Sequence, residues 1–478
     1  MNVGRQAARG ALWVAASSWI NRLTGVVVLA ILAVELAPRD LGLLAVAGLA
    51  SNVLLVLNDL GFGDAVVFFG GDVHDAAEAA LFVSILASAA LALLLLVSAT
   101  LIAGFFRVPE AASILRAYSF MVFINGFGEA GRGMLTKDLA FARRFVPEAV
   151  PGLAAGAVTT VLALEGAGVW SLVVGDAARE ALSTILAFAV LPWRPFPRWH
   201  PEVARELWAY ARGSLVSSLL GFALQNADYA LVGRLLGPVA LGYYNLAFRV
   251  AILPFVSVTL VVAGVSFPAF VKLLPDRART EAAFRSTFRV AIGGAFLLGG
   301  GVIALAPALQ ILGPKWAPAV TVARLLGAYV CLRSAAHMVT PLLQATGHPG
   351  TIARLRAGWL GLLAGTILVV GRNGIAAVGI AQVAVAGVLL VGHAYEARAR
   401  AGVDVGAMAT DLLRPSAAVA LGGGAVLLAR HALSLGADTS VGPLLVLGGI
   451  FTAVYLAVWL LGASAVPDDL RTLRSRLI

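Results

Sequence analysis

Fourteen mostly apolar stretches follow one another along this chain, separated by short connections. A helix of about 20 such residues spans the hydrocarbon core of a bilayer. The stretches fall near 11–34, 41–63, 79–106, 111–134, 145–165, 168–190, 207–234, 240–268, 286–309, 317–345, 355–371, 375–395, 415–434 and 442–463. Polar residues interrupt the fourth, seventh and tenth, so the expected count lies between twelve and fourteen spans. Hydrophobic residues occupy 60% of the 478 positions and charged residues 13%. Soluble domains carry about 25% charged residues, and only lipid accommodates so large an apolar surplus. Alternating barrel strands would not give unbroken apolar runs, so the expectation is an all-α integral membrane protein of about fourteen transmembrane helices. The 52 glycines suit helices that pack closely in lipid.

A short phrase occurs twice. Leu36-Ala37-Pro38-Arg39-Asp40-Leu41-Gly42 is echoed by Leu236-Gly237-Pro238-Val239-Ala240-Leu241-Gly242, each copy lying between two apolar stretches. The repeat predicts a helix–tight turn–helix unit in each half of the chain. Duplicated helical bundles around a shared site are a usual basis of alternating access. The expected organisation is an N-terminal six-helix lobe (1–190), a cytoplasmic linker (191–206), a second six-helix lobe (207–398), and two further helices with a basic tail (399–478). Pro192, Pro195, Pro197 and Pro201 prevent a continuous helix through the linker, and its Trp and Arg residues suit the headgroup region.

The net charge of +10 is a matter of topology. With the N-terminus placed in the cytoplasm, 21 Lys/Arg residues fall on inner connections and ends and 7 on outer ones. That asymmetry follows the positive-inside rule and predicts N-in, C-in orientation, with no nucleic-acid partner. Arg5 and Arg9 precede an apolar run long enough to be an uncleaved first span. Cys331 is the single cysteine, so no intramolecular disulfide forms.

Ionisable groups within spans are costly and usually face a bundle interior or a wet cavity. Arg22 and Arg249 lie inside spans adjoining the two copies of the repeat and are the preferred substrate contacts, with Asn245 beside Arg249 and Arg333 as a third cation. A guanidinium stays charged and forks onto phosphate with paired hydrogen bonds, which suits a diphosphate headgroup. The alternative for each is a structural ion pair. Asp228 and Asp59 are the candidates for ion or proton coupling, against interfacial hydrogen bonding. Glu129 with Arg132, and Asp176 with Arg179 or Glu180, share helical faces and read as internal ion pairs. His337 has no second ligand at metal spacing on its helix, and no nucleotide-binding motif occurs, so neither metal nor cofactor is expected. The short loops also leave little room for a catalytic site, and the expectation is a carrier rather than an enzyme.

Several segments resemble a known family. Asn58-Asp59-Leu60-Gly61-Phe62-Gly63, together with the first repeat, is similar to the N-terminal signature of polysaccharide flippases. Leu135 to Arg144 and Gly166 to Val173 match their later connections, and Gln225-Asn226-Ala227-Asp228-Tyr229 running through Gly233 to Tyr244 is the most specific match. Phe267-Pro268 and Gly313 to Ala319 extend the likeness, which covers about residues 4 to 370. The chain thus resembles the Wzx-type branch of the multidrug/oligosaccharidyl-lipid/polysaccharide exporter superfamily. The resemblance implies two six-helix lobes around a cationic cavity. It also implies transfer of an undecaprenyl-diphosphate-linked oligosaccharide from the inner to the outer leaflet of a bacterial inner membrane, for surface polysaccharide synthesis. Its partners would be that substrate, membrane lipids, and the glycan polymerase of the same pathway. Arg22 matches the basic residue the family often carries in its first span. The lipid II flippase branch usually carries more basic residues in its first two spans, and span 2 has none. An ion-coupled multidrug or cation exporter of the same superfamily stands as the alternative, with a polytopic glycan polymerase behind it.

Overall fold

A computed structural model of the chain describes residues 3–59, 72–137, 141–191, 196–433 and 440–461, and among these every regular element is a helix. The chain divides into two compact units, Met1–Gly242 and Tyr243–Ile478.

The first unit contains α1 (Val3–Glu35), α2 (Pro38–Asp59), α3 (Val73–Phe105), α4 (Ala111–Lys137), α5 (Phe141–Leu164), α6 (Trp170–Val190) and the greater part of α7 (Pro201–Ala251). α3 lies along α4, α5 along α6, and α1 along α5. Small residues set these contacts. A methyl group at Gly152 would strike Asn21, one at Gly156 would strike Thr24, and one at Gly126 would strike Ser88. In lipid, such close approach supplies the packing that hydrophobic collapse supplies in water.

The second unit contains the end of α7, a π-helical turn at Phe255–Thr259, then α8 (Leu260–Leu273), α9 (Arg277–Leu305), α10 (Ala317–His337), α11 (Thr340–Ala345), α12 (Pro349–Val370), α13 (Ile375–Glu396), α14 (Val405–Ala432) and α15 (Val441–Leu461). α9 is its spine. Phe270, Phe284 and Phe288 stack along its first half. α14 and α15 pack onto it. Tyr455 donates to the Gly293 carbonyl at 2.8 Å, while Arg285 and Arg289 share Asp411 at 3.3 and 3.4 Å. The last two spans therefore share the apolar core of this unit.

Eleven described segments are long and apolar enough to cross a membrane. One of them, Ser218–Leu273, is 56 residues long and is broken at Gly237, so it holds two spans. Outside the eleven stand α4 and α6, which carry Arg116, Glu129 and Arg132, and Asp176, Arg179 and Glu180 respectively. Both are helices of spanning length, and with them the described residues account for fourteen spans.

Each copy of the repeat forms the expected corner. In the first, α1 stops at Glu35 and α2 starts with Pro38, whose fixed φ and missing N–H suit the first helical position. In the second, Gly237 interrupts α7 with φ 82° and ψ −177°, and Pro238 starts the next helix. The corners lie against each other. A methyl group at Gly42 would overlap the Pro238 carbonyl oxygen, and one at Gly242 would overlap the Pro38 carbonyl oxygen.

Candidate functional site

α5 contains Pro147 and Pro151. Proline at 151 cannot donate to the Pro147 carbonyl, which is left without its helical partner. Ser183 on α6 fills the vacancy, donating its hydroxyl at 2.9 Å. From α1, Asn21 donates to the Glu148 carbonyl at 3.0 Å and Ser17 to the Glu148 carboxylate at 3.0 Å. Arg144, one turn earlier on α5, pairs with the same carboxylate. These groups and Glu180 line a cleft of about 380 Å³ within the first unit.

The polar system continues into α4. Asn58 donates to Asn125 at 2.8 Å, Asn125 donates to Glu180 at 2.8 Å, and Tyr118 donates to Asp176 at 3.1 Å. Unmade hydrogen bonds are expensive in hydrocarbon, so such a chain fixes the mutual rotation of α2, α4 and α6. Glu180 and Asp176, expected as members of ion pairs, thus receive hydrogen bonds from α4. The side chains of Glu129 and Arg132 lie outside the described residues. A second cleft, of about 420 Å³, is lined by four amides, Asn52, Asn125, Gln225 and Asn226, with Leu55 and Phe222. Gln225 and Asn226 donate to carbonyls of their own helix. Amides beside an aromatic face are groups that bind sugar hydroxyls and rings. The sequence signalled them as amides inside apolar stretches, but it did not show that α2, α4 and α7 bring them to one cleft.

Among the expected substrate contacts, Arg22 is half-buried on α1 with its guanidinium 5.8 Å from the centre of the Trp19 ring. It follows Asn21 and has no carboxylate partner among the described residues. Arg249 and Asn245 are brought together on α7, with the exposed Arg249 donating to the buried Asn245 at 2.9 Å. Asp228 is buried and accepts from the Tyr229 N–H at 2.9 Å. The Asp59 side chain lies outside the described residues.

Arg333 has the most developed surroundings. Pro254 offers no N–H, and the chain beyond it widens into the π turn that carries Phe255. The Arg333 guanidinium stands 4.3 Å from the Phe255 ring centre, 5.0 Å from Trp359 and 5.7 Å from Tyr329. It also donates to the Tyr329 hydroxyl at 3.0 Å. Inserting an arginine at a span centre costs about 2.5–3.5 kcal/mol. Each desolvated cation–π contact returns about 0.5–2 kcal/mol, so three rings can carry the guanidinium without a counter-ion. No carboxylate lies within ion-pair distance among the described residues. The rings stabilise the cation and leave its charge unneutralised, which is the condition for attracting an anion.

At the foot of α3, Asp75, Glu78 and His200 bring potential ligand atoms within 4.8 Å of one another. Arg198 stands 3.9 Å from Glu78, and His200 lies 3.2 Å from it. A guanidinium in that position makes the group an ion-pair cluster, fastening the segment before α7 to α3. His337 packs edge-on against Phe255, 5.1 Å between ring centres.

Residues 31–321 match the model of a family described as polysaccharide biosynthesis protein. The chain is 24% identical over 340 residues to the teichuronic acid biosynthesis protein TuaB of Bacillus subtilis, covering 70% of each chain. It is 26% identical over 320 residues to the succinoglycan biosynthesis transport protein ExoT of Rhizobium meliloti, covering 66% of this chain and 65% of the relative. Against the lipopolysaccharide biosynthesis protein WzxC of Escherichia coli the identity is 23% over 349 residues, with 72% and 71% covered. The fold is similar to that of lipid II flippase MurJ in an inward closed conformation, with TM-score 0.77, 12% identity, and 95% and 99% of the chains covered. An inward-facing multidrug resistance MATE family transporter of the MOP superfamily follows at TM-score 0.65 and 16% identity, covering 80% and 94%. With well over half of its length inside the family match, this multi-pass membrane protein belongs to the polysaccharide biosynthesis protein family.

Proposed function

We propose that the protein is a flippase. It moves an undecaprenyl-diphosphate-linked oligosaccharide from the inner to the outer leaflet of a bacterial inner membrane by alternating access of two lobes, with both termini in the cytoplasm. In this role it is a carrier and performs no covalent chemistry. The observation that carries the reading is Arg333, a cation held among three aromatic rings with no carboxylate partner among the described residues. A carrier of organic cations would gain nothing from it. An anionic diphosphate gains a charge-assisted hydrogen bond, and the sugars that follow it gain aromatic faces. Arg22, with Arg249 and Asn245, supplies further donors for the phosphates. The amide cleft suits the glycan, and Asp228 and Asp59 serve ion coupling. The polysaccharide-assembly roles in the names of TuaB, ExoT and WzxC support the cargo class.

The test is mass spectrometry of lipids extracted from a deletion strain. It is expected to show accumulated undecaprenyl-diphosphate oligosaccharide, cleared by the wild-type chain. Arg22→Ala and Arg333→Ala should each reduce clearance roughly ten- to hundredfold, the loss of one charged hydrogen bond, with normal membrane insertion. Full clearance by both variants overturns the assignment of these residues. Absence of the intermediate together with new sensitivity to cationic drugs overturns the flippase in favour of an exporter.

A further inference from the structure

Three helices of the second unit meet at one place. α9 begins there at Arg277, α13 ends in the π-helical turn Ala397–Ala401, and α11 closes the side with Leu342 and Thr346. Between them is a cleft of about 340 Å³ carrying Arg277, Arg398 and Arg400, with Glu281 as its one acidic lining residue. Of the two neighbouring carboxylates, one pairs with an arginine of the cleft itself and the other is engaged outside it. Glu396 pairs with Arg400, and Asp276 caps α9 and pairs with Arg279 at 3.2 Å. Among the described residues, neither Arg277 nor Arg398 has a carboxylate within ion-pair distance. Gly402, at φ 67°, lets the chain turn tightly under the Arg277 guanidinium, where any side chain would displace it. Arginine, which presents a rigid fork of donors, is the residue suited to phosphate. Leu274, Leu342 and Val403 form an apolar floor beneath these cations.

We propose that this cleft binds the phosphate of an anionic ligand, bridging the start of α9 to the end of α13. Basic clefts where spans meet the membrane surface hold anionic headgroups, and a free phosphate would use the same donors. Its lining does not include Arg22, Arg249, Asn245 or Arg333.

The full-length protein, purified in detergent, is titrated with short-chain phosphatidylglycerol, phosphatidylcholine and inorganic phosphate. Bound lipid is read by native mass spectrometry and phosphate binding by the shift in melting temperature. Wild type is expected to retain phosphatidylglycerol over phosphatidylcholine. Arg277→Ala/Arg398→Ala should weaken retention roughly 30-fold, from roughly fivefold per arginine near an anionic surface, and Arg279→Ala should leave it unchanged. Glu281→Gln should strengthen it roughly fivefold, a gain that misfolding cannot imitate. If inorganic phosphate stabilises the wild type but not the double variant while the two lipids bind alike, the ligand is a soluble phosphate. If no ligand discriminates wild type from the double variant, or Glu281→Gln has no effect on any of them, the site is refuted.

Discussion

At the first corner the N–H of Ala37 goes to the Asp40 carboxylate at 3.1 Å. At the second, Gly237 stands in the place of Ala37 with φ 82°, and Ala240 stands in the place of Asp40 with no acceptor to offer. The first corner is therefore held by a side chain that reaches back to the residue before the helix, half of a capping box. The second is held by a backbone conformation that only glycine adopts without strain. Besides the leucines Leu36/Leu236 and Leu41/Leu241, the corners share the proline that starts each following helix and the glycine four positions on. Those two are also the residues that touch across the pair, each glycine against the other copy's proline carbonyl. The contact is what both copies keep, and the turn chemistry is what they vary.

The hardest break of this pairing is a methyl group at either glycine. The obstructing atoms are backbone carbonyls, which cannot rotate away as a side chain end would. Gly42→Ala and Gly242→Ala are each expected to destabilise by about 3 kcal/mol, the upper end of the range for overpacking. Thermal melting of the purified protein in detergent measures it. A large loss at one glycine and none at the other would show that the contact is not reciprocal.

The turns themselves should respond unequally. Gly237→Ala forces a side chain into a region that costs about 1–3 kcal/mol. Ala37→Gly loosens only the unfolded chain and should cost about 0.4–1 kcal/mol. Combining Gly237→Ala with Ala240→Asp imports the chemistry of the first corner and should recover part of the loss. No recovery would mean that the hydrogen bond Asp40 makes to Ala37 cannot form on the second corner's backbone. Asp40→Ala comes next, at about 1 kcal/mol for a lost cap. Its counterpart Ala240→Asp in the wild-type background should gain nothing, because Gly237 already sets that turn.

The corners were legible because a helix–turn–helix unit is local, and its prolines and glycines declare themselves within seven residues. The spans were legible for the same reason, through the length of apolar runs. Two of them, α4 and α6, carry enough polar and charged residues to fall below a hydropathy reading, and on α6 Asp176 and Glu180 belong to the polar interior of the first unit. What the sequence hides is pairing at a distance. Arg333 was visible as a cation inside a span, and Tyr329 is four residues away on its helix. Phe255 and Trp359 come from other elements, so the ring enclosure was not. The freed Pro147 carbonyl was predictable from Pro151, whereas Ser183 as its partner, 36 residues on, was not. Nothing in the apolar pattern of the two closing spans, which have little intramembrane charge, says which helix they pack against. Tyr455 and Asp411 tie them to α9 across 162 and 126 residues.

The smallest difference between the corners concerns position 39. Arg39 donates to Glu110 at 2.7 Å, whereas its counterpart is Val239, which cannot make an ion pair. The backbone N–H of Glu110 and, next, the Arg39 guanidinium hold the Glu110 carboxyl below the usual glutamate range. A lowered carboxyl stabilises the fold above its unfolded value, about 4.3 for glutamate, and that contribution fades as pH falls through the lower folded value. The melting temperature should therefore be flat near neutral pH, with this contribution disappearing on the acid side. Both side chains are more than half exposed, so water and salt screen the pair and the effect is small. Because the backbone bond ranks above the arginine, Arg39→Gln should remove only the lesser part of the acid-side loss, and Glu110→Gln all of it. Raising the salt concentration should erase the difference between wild type and Arg39→Gln while leaving that between wild type and Glu110→Gln. If Arg39→Gln instead abolishes the whole acid-side response, the ion pair and not the backbone governs Glu110. The first corner would then owe more of its stability to charge than its second copy can match.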